Sequence, residues 1–273
     1  MQKKLINFKT YSSIKVGGIC EVCEISSPQD YYNLLQNGTP LNIIGKANNL
    51  LVAPNAKNLI VLSKDFDYIK DCGAFLEVGA LTPSGKLFSY AKKHNLAGFE
   101  FLRGLPGCIG GIIKMNAGLK KYEIKSSLLG ILCLKNSSEL EFIKSEELTL
   151  GYRTSNINTL IFAGIFKKDK GFNDSLPPLF TSMRENQPSE PSFGSCFKNP
   201  KNNYAGFLIE SVGLKGQRFG KNKSLMFSQK HANFLVNLGD SEFFEVLELI
   251  ELAKKRVFER HNLLLEEEVQ IFT

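Results

Sequence analysis

Apolar positions recur along this chain with two periods, one typical of α-helices and one typical of β-strands. The strongest helical pattern lies near the C-terminal end and predicts a helix over 241–261, capped by Asp240 or Ser241. Its core stripe consists of four apolar residues at intervals of four, three and four: Val246, Ile250, Ala253 and Val257. The pattern therefore predicts one long amphipathic helix that packs on a core.

Shorter segments carry the remaining secondary-structure signals. Ser27, Pro28 and Asp30 form a helix-start signature, and that helix should end near Gly38. Further helices are predicted at 82–94, 177–185 and 204–211. Strands are predicted within 5–25, broken at 17–18, and at 41–44, 59–62, 75–78, 128–134, 160–166, 234–237 and the C-terminal end. Because helices and strands mix without a regular βαβ repeat, the predicted fold class is α+β.

Two glycine-containing segments are candidates for ligand contact. Five glycines fall within 104–118, where backbone freedom suits either a plain loop or the close approach of a flat or phosphorylated ligand. Residues 45–52 follow a short buried strand, and a turn of small residues there can present backbone N–H groups to a phosphate. This turn matches neither the Gly-x-Gly-x-x-Gly nor the P-loop pattern, so a strand–turn–strand connection is the simpler interpretation.

A single serine stands between a glycine and a proline in segment 194–200. Gly194 allows backbone conformations that other residues avoid, and Pro200 ends any regular element. We therefore expect Ser195 to be a loop residue held in a fixed pose. Because a loop serine is usually a turn former, a catalytic interpretation needs support from the rest of the chain.

Composition and the N-terminus narrow the class of protein. The 273 residues are 43% hydrophobic and 22% charged, typical of a soluble globular protein, and a chain of this length forms about two domains. No apolar run is long enough to cross a bilayer. The basic N-terminus is not followed by the apolar segment of a signal peptide. We therefore expect a cytoplasmic protein without membrane insertion.

Net charge and cysteine content bear on the binding partner and on whether the chain holds a metal ion or disulfides. A net charge of +7 fits either nucleic acid or a small polyanion such as a dinucleotide or a UDP-sugar. The lysines are scattered rather than clustered, which argues against nucleic acid. Of the six cysteines, Cys20 and Cys23 form one Cys-x-x-Cys motif without a second pair, and the alternation around them favours a strand. We therefore predict neither a metal site nor a disulfide framework.

A set of motifs, in a fixed order over nearly the whole chain, resembles the UDP-N-acetylenolpyruvoylglucosamine reductase family. The most distinctive are Gly-Tyr-Arg at 151–153, Gly-Ser-Cys-Phe-Lys-Asn-Pro at 194–200 and Lys-His-Ala-Asn-Phe at 230–234. The other matching segments are 11–18, 45–52, 98–118 and 265–269. Each motif is weak alone, but the ordered set is specific.

The resemblance implies a fold, cofactors and a substrate. The fold is an FAD-binding module of the vanillyl-alcohol-oxidase (PCMH) type with two subdomains, 1–62 plus 268–273 and 63–184, and a C-terminal α+β substrate domain, 185–267. The implied reaction uses FAD and NADPH to reduce the enolpyruvyl ether of UDP-N-acetylglucosamine to UDP-N-acetylmuramate for peptidoglycan synthesis. We expect such an enzyme to be a monomer that binds no nucleic acid.

The resemblance also implies three catalytic residues. Hydride addition to C3 of the enolpyruvyl group develops charge on the substrate carboxylate, which Arg153 and a protonated Glu268 would stabilise. Ser195 would then donate the proton that C2 requires. A slip of one residue within the acidic run would give the role of the acid to Glu267 instead.

Binding positions follow from the same resemblance. The cofactor-binding residues are Gly45, Ala47, Asn48, Asn49, Gly107, Gly110, Gly111 and Asn116. The substrate-binding residues are Tyr152, Lys198, Asn199 and His231. The chain departs from the family at Ala47 and Asn48, and at Asn186 and Glu190, where a lysine and a tyrosine are usual. Lys221 and Lys223 are candidates to supply the missing charge.

Two rival functions stay open at this point. A flavoenzyme of the same fold with another substrate would not need Ser195, Arg153 and Glu268 together, because a simple alcohol oxidase has no carbanion to protonate. A basic nucleic-acid-binding protein that kept the fold would be colourless and would bind DNA or RNA in a salt-sensitive way.

Overall fold

The computed structural model describes residues 2–273, and the mixture of helices and strands confirms the predicted α+β class. The helices are α1 (Phe8–Tyr11), α2 (Pro28–Leu35), α3 (Ser84–Lys93), α4 (Ile109–Lys114), α5 (Leu176–Ser182), α6 (Ala205–Ser211) and α7 (Phe243–His261). The strands are β1 (Gln2–Asn7), β2 (Ile19–Ile25), β3 (Asn42–Ile44), β4 (Leu50–Val52), β5 (Leu59–Leu62), β6 (Ile69–Asp71), β7 (Phe75–Gly79), β8 (Gly118–Leu119), β9 (Tyr122–Glu123), β10 (Leu128–Cys133), β11 (Glu141–Lys144), β12 (Leu150–Gly151), β13 (Thr154–Ser155), β14 (Ile161–Lys167), β15 (Ser192–Ser195), β16 (Arg218–Phe219), β17 (Leu225–Phe227), β18 (Phe234–Asn237) and β19 (Gln270–Phe272).

The chain forms two compact units, each assembled from separate stretches of sequence. The first unit contains the residues up to Lys4 together with Val22–Lys46 and Asn58–Arg184. The second contains Leu5–Glu21, Ala47–Lys57 and Glu185–Thr273. Because this division does not separate the two predicted cofactor-binding subdomains from one another, the three-part domain organisation stays a prediction.

The first unit is built on a five-stranded antiparallel sheet in the order β11-β10-β14-β7-β6. Six consecutive residues of β14 are buried, as expected for a strand covered on both faces. Helix α4 packs directly on this strand, because a Cβ added at Gly164 would stand 2.7 Å from Cδ1 of Ile113. The sheet therefore holds the glycine-rich segment 104–118 in place.

A smaller parallel sheet in the first unit contains β3, β5 and residues 22–25 of β2. Tyr31 of α2 links it to the larger sheet, since its hydroxyl accepts the N–H of Leu160 at 3.2 Å and its ring meets Phe162 edge-on at 6.0 Å. Helix α2 begins as predicted, with Ser27 and Asp30 in a reciprocal capping box.

The second unit is built on a four-stranded antiparallel sheet in the order β15-β18-β17-β16. In α7, Val246, Ile250, Ala253 and Val257 are all fully buried, which confirms the predicted stripe. Strands β4 and β19 pair in parallel. None of the helices within residues 2–273 combines the length and the apolar composition of a bilayer-spanning segment.

The start of α7 differs from the prediction. The N-cap is Glu242, whose N–H bonds the carboxylate of Glu245 at 2.8 Å, rather than Asp240 or Ser241. The Ser241 hydroxyl is instead buried against that of Ser224, with 2.7 Å between the oxygens. Because this contact between distant residues engages the hydroxyl of Ser241, the helix begins after Glu242 instead.

Two of the helices were not predicted. Helix α1 interrupts the predicted strand region 5–25, because the side chain of Asn7 accepts the N–H of Lys9 at 3.0 Å and starts a helical turn. Helix α4 forms inside the glycine-rich segment, where Ile109, Ile112 and Ile113 supply a buried apolar face. Packing of that face outweighs the low helix propensity of glycine.

Candidate active site

Ser195 ends an edge strand and is not the loop residue that the sequence predicted. The last pair of β15 and β18 joins Ser195 to Phe234, and the register shifts between this pair and the preceding one. Gly194 takes up the irregularity with a left-handed φ of 85°, which favours glycine. Ser195 therefore owes its position to a bulge-like irregularity at a sheet edge.

The residues after Ser195 form an extended segment that Asn233 holds on one side. The carboxamide oxygen of Asn233 accepts the N–H of Phe197 at 3.0 Å, and its nitrogen donates to the carbonyl of Phe197 at 2.7 Å. The backbone carbonyl of Asn233 accepts the N–H of Cys196 at 2.7 Å. The two residues that follow Ser195 are therefore fixed by three hydrogen bonds to one residue.

The acidic segment near the C-terminus holds the same residues on the other side. The N–H of Glu268 donates to the carbonyl of Cys196 at 2.9 Å. The carbonyl of Glu268 accepts from the side-chain nitrogen of Asn49 at 2.9 Å. The second unit therefore brings together Ser195, Glu268 and Asn49, which lie far apart in the sequence.

Glu266 and Glu267 both have lysine partners within the second unit. The ammonium of Lys254 in α7 donates to Glu267 at 2.7 Å and to Glu251 at 3.0 Å. The carboxylate of Glu266 pairs with the ammonium of Lys198. An ion pair within the unit therefore holds the carboxylate of Glu267.

The ion pair of Lys254 predicts a pH dependence of stability. The hydrogen bond that the ammonium of Lys254 donates to Glu267 is the main cause that raises the pKa of Lys254 above its ordinary 10.5. A raised pKa means that the pair stabilises the fold fully below that ordinary pKa and loses its effect as the pH rises through the folded-state pKa. We expect Lys254→Met to lower the free energy of unfolding by about 1 kcal/mol at neutral pH, and the difference to vanish at high pH.

Urea denaturation over a pH series measures this difference. Lys255→Met is the matched control, since Lys255 stands next along α7 and its pair with Glu259 is long, at 3.9 Å, and exposed. A difference between wild type and Lys254→Met that stays constant with pH would contradict the assignment.

Cys196 follows Ser195 in the chain, but its thiol is unreactive. Cys196 is fully buried, and this burial, with Glu267 and Glu268 nearby, raises the pKa of the thiol well above its usual range. Since the thiolate is the reactive form, Cys196 serves packing.

The three predicted substrate-binding residues of the second unit also make contacts within it. The side-chain oxygen of Asn199 accepts the N–H of Ala205 at the start of α6 at 3.0 Å. Lys198 pairs with Glu266. The Nδ1 atom of His231 accepts the N–H of Asn233 at 3.3 Å, and burial lowers the pKa of His231, so the ring is neutral near pH 7. Their role in substrate binding stays a prediction.

Arg153 lies at the tip of a hairpin in the first unit. Strands β12 and β13 pair Gly151 with Thr154, so Tyr152 and Arg153 form a two-residue loop. The Arg153 guanidinium carbon is 5.2 Å from the centroid of the Tyr152 ring, and its Nη2 donates to the carbonyl of Gly118 at 3.2 Å. A guanidinium held over an aromatic ring and by a backbone carbonyl suits two-point binding of a carboxylate.

Asn116, a predicted cofactor-binding residue, uses its side chain to hold this hairpin. Its side chain is fully buried, its nitrogen donates to the carbonyl of Gly151 at 3.1 Å, and its oxygen accepts the N–H of Lys125 at 3.4 Å. The carbonyl of Gly151 directly precedes the Tyr152–Arg153 loop. Asn116 therefore supports the position of Arg153 from within the first unit.

We expect Asn116→Ala to lower the free energy of unfolding by about 2 kcal/mol, because the carbonyl of Gly151 loses its buried donor. Urea denaturation measures the change. Asn156→Ala is the control, since Asn156 accepts the N–H of Thr149 at 2.9 Å near the same hairpin but is exposed, so water replaces the lost bond. Equal losses in the two variants would contradict the role of Asn116.

The turn after β3 needs a glycine at its first position. A Cβ added at Gly45 would stand 2.8 Å from Sγ of Cys108. Burial raises the pKa of the Cys108 thiol, although hydrogen bonds from the backbone of Gly111 and Lys46 act to lower it. Ala47 has a left-handed φ of 48°. The turn joins β3 to β4, which agrees with the strand–turn–strand interpretation.

The glycine-rich segment offers room for a cofactor. No atom lies within 4 Å of a Cβ added at Gly107 or at Gly111, whereas a Cβ at Gly110 would stand 2.9 Å from that of Ala80. Gly110 is therefore needed for packing, and the backbone at the other two glycines borders open space. These residues fit the close approach of a large flat or phosphorylated group such as FAD.

Two residues of the site were missed by the sequence interpretation. Asn233 belongs to the matching segment 230–234, so its motif carried a signal that pointed to His231 instead. Lys254 is one of several basic residues near the end of α7, and the pattern gave no sign of its partner. Within residues 2–273, no group of three or more His, Cys, Asp or Glu side chains is arranged to hold a metal ion.

Comparisons with known proteins agree with the predicted resemblance. Residues 187–272 match the family profile described as UDP-N-acetylenolpyruvoylglucosamine reductase, C-terminal domain. The chain is 51% identical to the UDP-N-acetylenolpyruvoylglucosamine reductase of Helicobacter hepaticus, covering 99% of each, and 42% identical to that of Campylobacter jejuni, covering 98% of this chain and 99% of the relative. The crystal structure of UDP-N-acetylenolpyruvylglucosamine reductase from Thermus caldophilus superposes with a TM-score of 0.85 at 30% identity, covering 100% of both chains.

The full-length relatives, which are named as reductases, define the chain as an oxidoreductase. The chain belongs to the UDP-N-acetylenolpyruvoylglucosamine reductase family, which confirms the resemblance seen in its motifs.

Proposed function

We propose that the chain is an FAD- and NADPH-dependent reductase that converts the enolpyruvyl ether of UDP-N-acetylglucosamine into UDP-N-acetylmuramate. The observation that carries the proposal is the 51% identity, over the full length, to a relative of the corresponding name. The hydrogen-bonded arrangement of the Ser195 and Glu268 segments supports it. We further propose that the enzyme acts as a cytoplasmic monomer in the synthesis of peptidoglycan precursors.

FAD is proposed to contact the backbone of two segments. These contain Gly45, Ala47, Asn48 and Asn49 in the turn after β3, and Gly107, Gly110 and Gly111 at the start of α4. The open space beside Gly107 and Gly111 supports this assignment. When bound, FAD would accept a hydride from NADPH and pass it to the enolpyruvyl double bond. Asn49 and Asn116 make side-chain bonds within the protein, so we propose that they shape the cofactor site.

Arg153 is proposed to bind the carboxylate of the substrate. As hydride adds to C3, negative charge develops on this carboxylate, and a fixed guanidinium stabilises that charge more than it stabilises the ground state. Tyr152, which is half exposed beside it, is proposed to contact the substrate as well. The contact with Tyr152 and the bond to the carbonyl of Gly118 hold the guanidinium in place.

Ser195 and Glu268 are proposed to complete the reaction. A protonated Glu268 would donate a hydrogen bond to the same carboxylate, and the Ser195 hydroxyl would give its proton to C2. Serine is a weak acid, so its contribution depends on position, which the bonds to residues 196 and 197 supply. Lys198, Asn199 and His231 are proposed to bind the substrate, and the three-part domain division is proposed for the chain.

A turnover assay tests the proposal. Purified protein with FAD should consume NADPH only when the enolpyruvyl UDP-sugar is present, and mass spectrometry should find a product that has gained two hydrogen atoms. Consumption of NADPH with an alcohol or quinone in its place would support the rival flavoenzyme. Binding of DNA or RNA without turnover would support the nucleic-acid rival.

A further inference from the structure

The side chain of Asn233 takes the place of a neighbouring strand beside the residues that follow Ser195. Its oxygen accepts the N–H of Phe197 at 3.0 Å and its nitrogen donates to the carbonyl of the same residue at 2.7 Å. Bonds to both the N–H and the C=O of one residue are what a paired strand makes in an antiparallel ladder. Asn233 is 3% exposed and Phe197 is fully buried, so water does not replace these bonds.

The opposite side of the same segment bonds the acidic run. The carbonyl of Cys196 accepts the N–H of Glu268 at 2.9 Å, and the N–H of Lys198 donates to the carbonyl of Glu266 at 2.9 Å. The carbonyl of Cys196 and the N–H of Lys198 thus bond the acidic run, whereas both backbone groups of Phe197 between them bond the side chain of Asn233. The register of this segment against Glu268 is therefore set from both sides.

Ser195 lies where this arrangement begins. Its own strand, β15, is at the edge of the sheet, and Gly194 interrupts the regular pairing just before it. Backbone pairing with this side of the sheet ends at the N–H of Cys196, which bonds the backbone carbonyl of Asn233. The side chain of Asn233 extends the support by one residue, through its two bonds to Phe197.

We propose that Asn233 is a positioning residue that sets the location of Ser195 relative to Glu268 through its bonds to Phe197. The inference rests on the proposed function, in which Ser195 gives a proton to the substrate. Asn233 itself needs no contact with substrate or cofactor.

Asn237 provides a matched control for the loss of a buried carboxamide. It lies at the other end of β18, is also 3% exposed, and its nitrogen donates to the carbonyls of Ile14 at 3.0 Å and Lys15 at 3.2 Å. Its bonds hold the N-terminal segment and do not involve residues 195–198. Asn237→Ala therefore removes a comparable pair of bonds without moving Ser195.

The test separates the two half-reactions. Asn233→Ala, Asn233→Asp and Asn237→Ala are compared with wild type in anaerobic stopped-flow, first for flavin reduction by NADPH and then for reoxidation by the enolpyruvyl UDP-sugar. Both Asn233 variants should keep the wild-type rate of reduction, and reoxidation should slow on the order of 10²-fold, the effect of a misplacement near 1 Å. Asn237→Ala should lower the melting temperature similarly but keep both rates.

Asn233→Asp keeps the size of the side chain and the acceptor for the N–H of Phe197, but loses the donor to its carbonyl. If Asn233→Ala does not fold, Asn233→Asp alone tests whether the bonds to Phe197 position Ser195. Unchanged reoxidation in Asn233→Asp, or equal slowing of both half-reactions, would overturn the inference. A wild-type enzyme that NADPH reduces but the sugar does not reoxidise would overturn the proposed function and this inference with it.

Discussion

Replacement of Ser195 by alanine should leave the reduction of bound flavin by NADPH at the wild-type rate and slow its reoxidation by the enolpyruvyl substrate on the order of 10²- to 10⁴-fold. The hydroxyl is proposed to supply the proton for C2, and this proton is needed only in the second half-reaction. Removing it leaves the hydride-accepting step untouched. Anaerobic stopped-flow absorbance of the flavin measures both half-reactions in one instrument.

Ser192→Ala is the control for this experiment, because Ser192 begins the same edge strand. Its hydroxyl accepts only a long bond, at 3.4 Å, from the N–H of Gly194. Both half-reactions should stay close to wild type in this variant. If Ser195→Ala slows the two half-reactions equally, Ser195 has a structural role and the proposed proton donor is wrong.

Glu268→Ala should lower kcat on the order of 10²-fold, corresponding to the loss of about 3 kcal/mol of transition-state stabilisation from one well-placed donor. Glu267→Ala removes the ion pair with Lys254, so it should affect stability much more than kcat. Steady-state kinetics of the two variants, with urea denaturation of each, separate the two roles.

The acidic run makes this comparison decisive. The reverse result, a large loss of kcat in Glu267→Ala and a small one in Glu268→Ala, would give the role of the acid to Glu267. It would also mean that the ion pair with Lys254 opens when substrate binds, since in the structure the ammonium is 2.7 Å from the carboxylate.

Elements that depend on local sequence were predicted well. The capping box of α2, the apolar stripe of α7 and the short buried strand β5 each follow from neighbouring residues. The predicted N-cap of α7 was wrong because the hydroxyl of Ser241 bonds that of Ser224, which is distant in sequence. Helix α4 was missed because its glycines hide a buried apolar face that only packing on β14 makes visible.

Contacts between residues distant in sequence determine the candidate site even more than they determine the fold. Motif order pointed to Ser195 and Glu268, and the structure brings their segments together through backbone hydrogen bonds that Cys196 and Lys198 make to the acidic run. The roles of Asn233 and Asn116 depend on which backbone groups their side chains reach, and those groups lie 36 and 35 residues away. No local sequence pattern encodes such distant partners, so the sequence alone does not distinguish these two asparagines from the other residues of their motifs.

The most direct test of the proposed function is the absorbance spectrum of the purified protein before and after adding NADPH and then the enolpyruvyl UDP-sugar under anaerobic conditions. We expect a yellow protein that NADPH bleaches and the sugar recolours, which would establish cofactor, donor and acceptor together. A colourless protein that takes up no added FAD would contradict the proposed function, and would show that the turn beginning at Gly45 does not hold the cofactor.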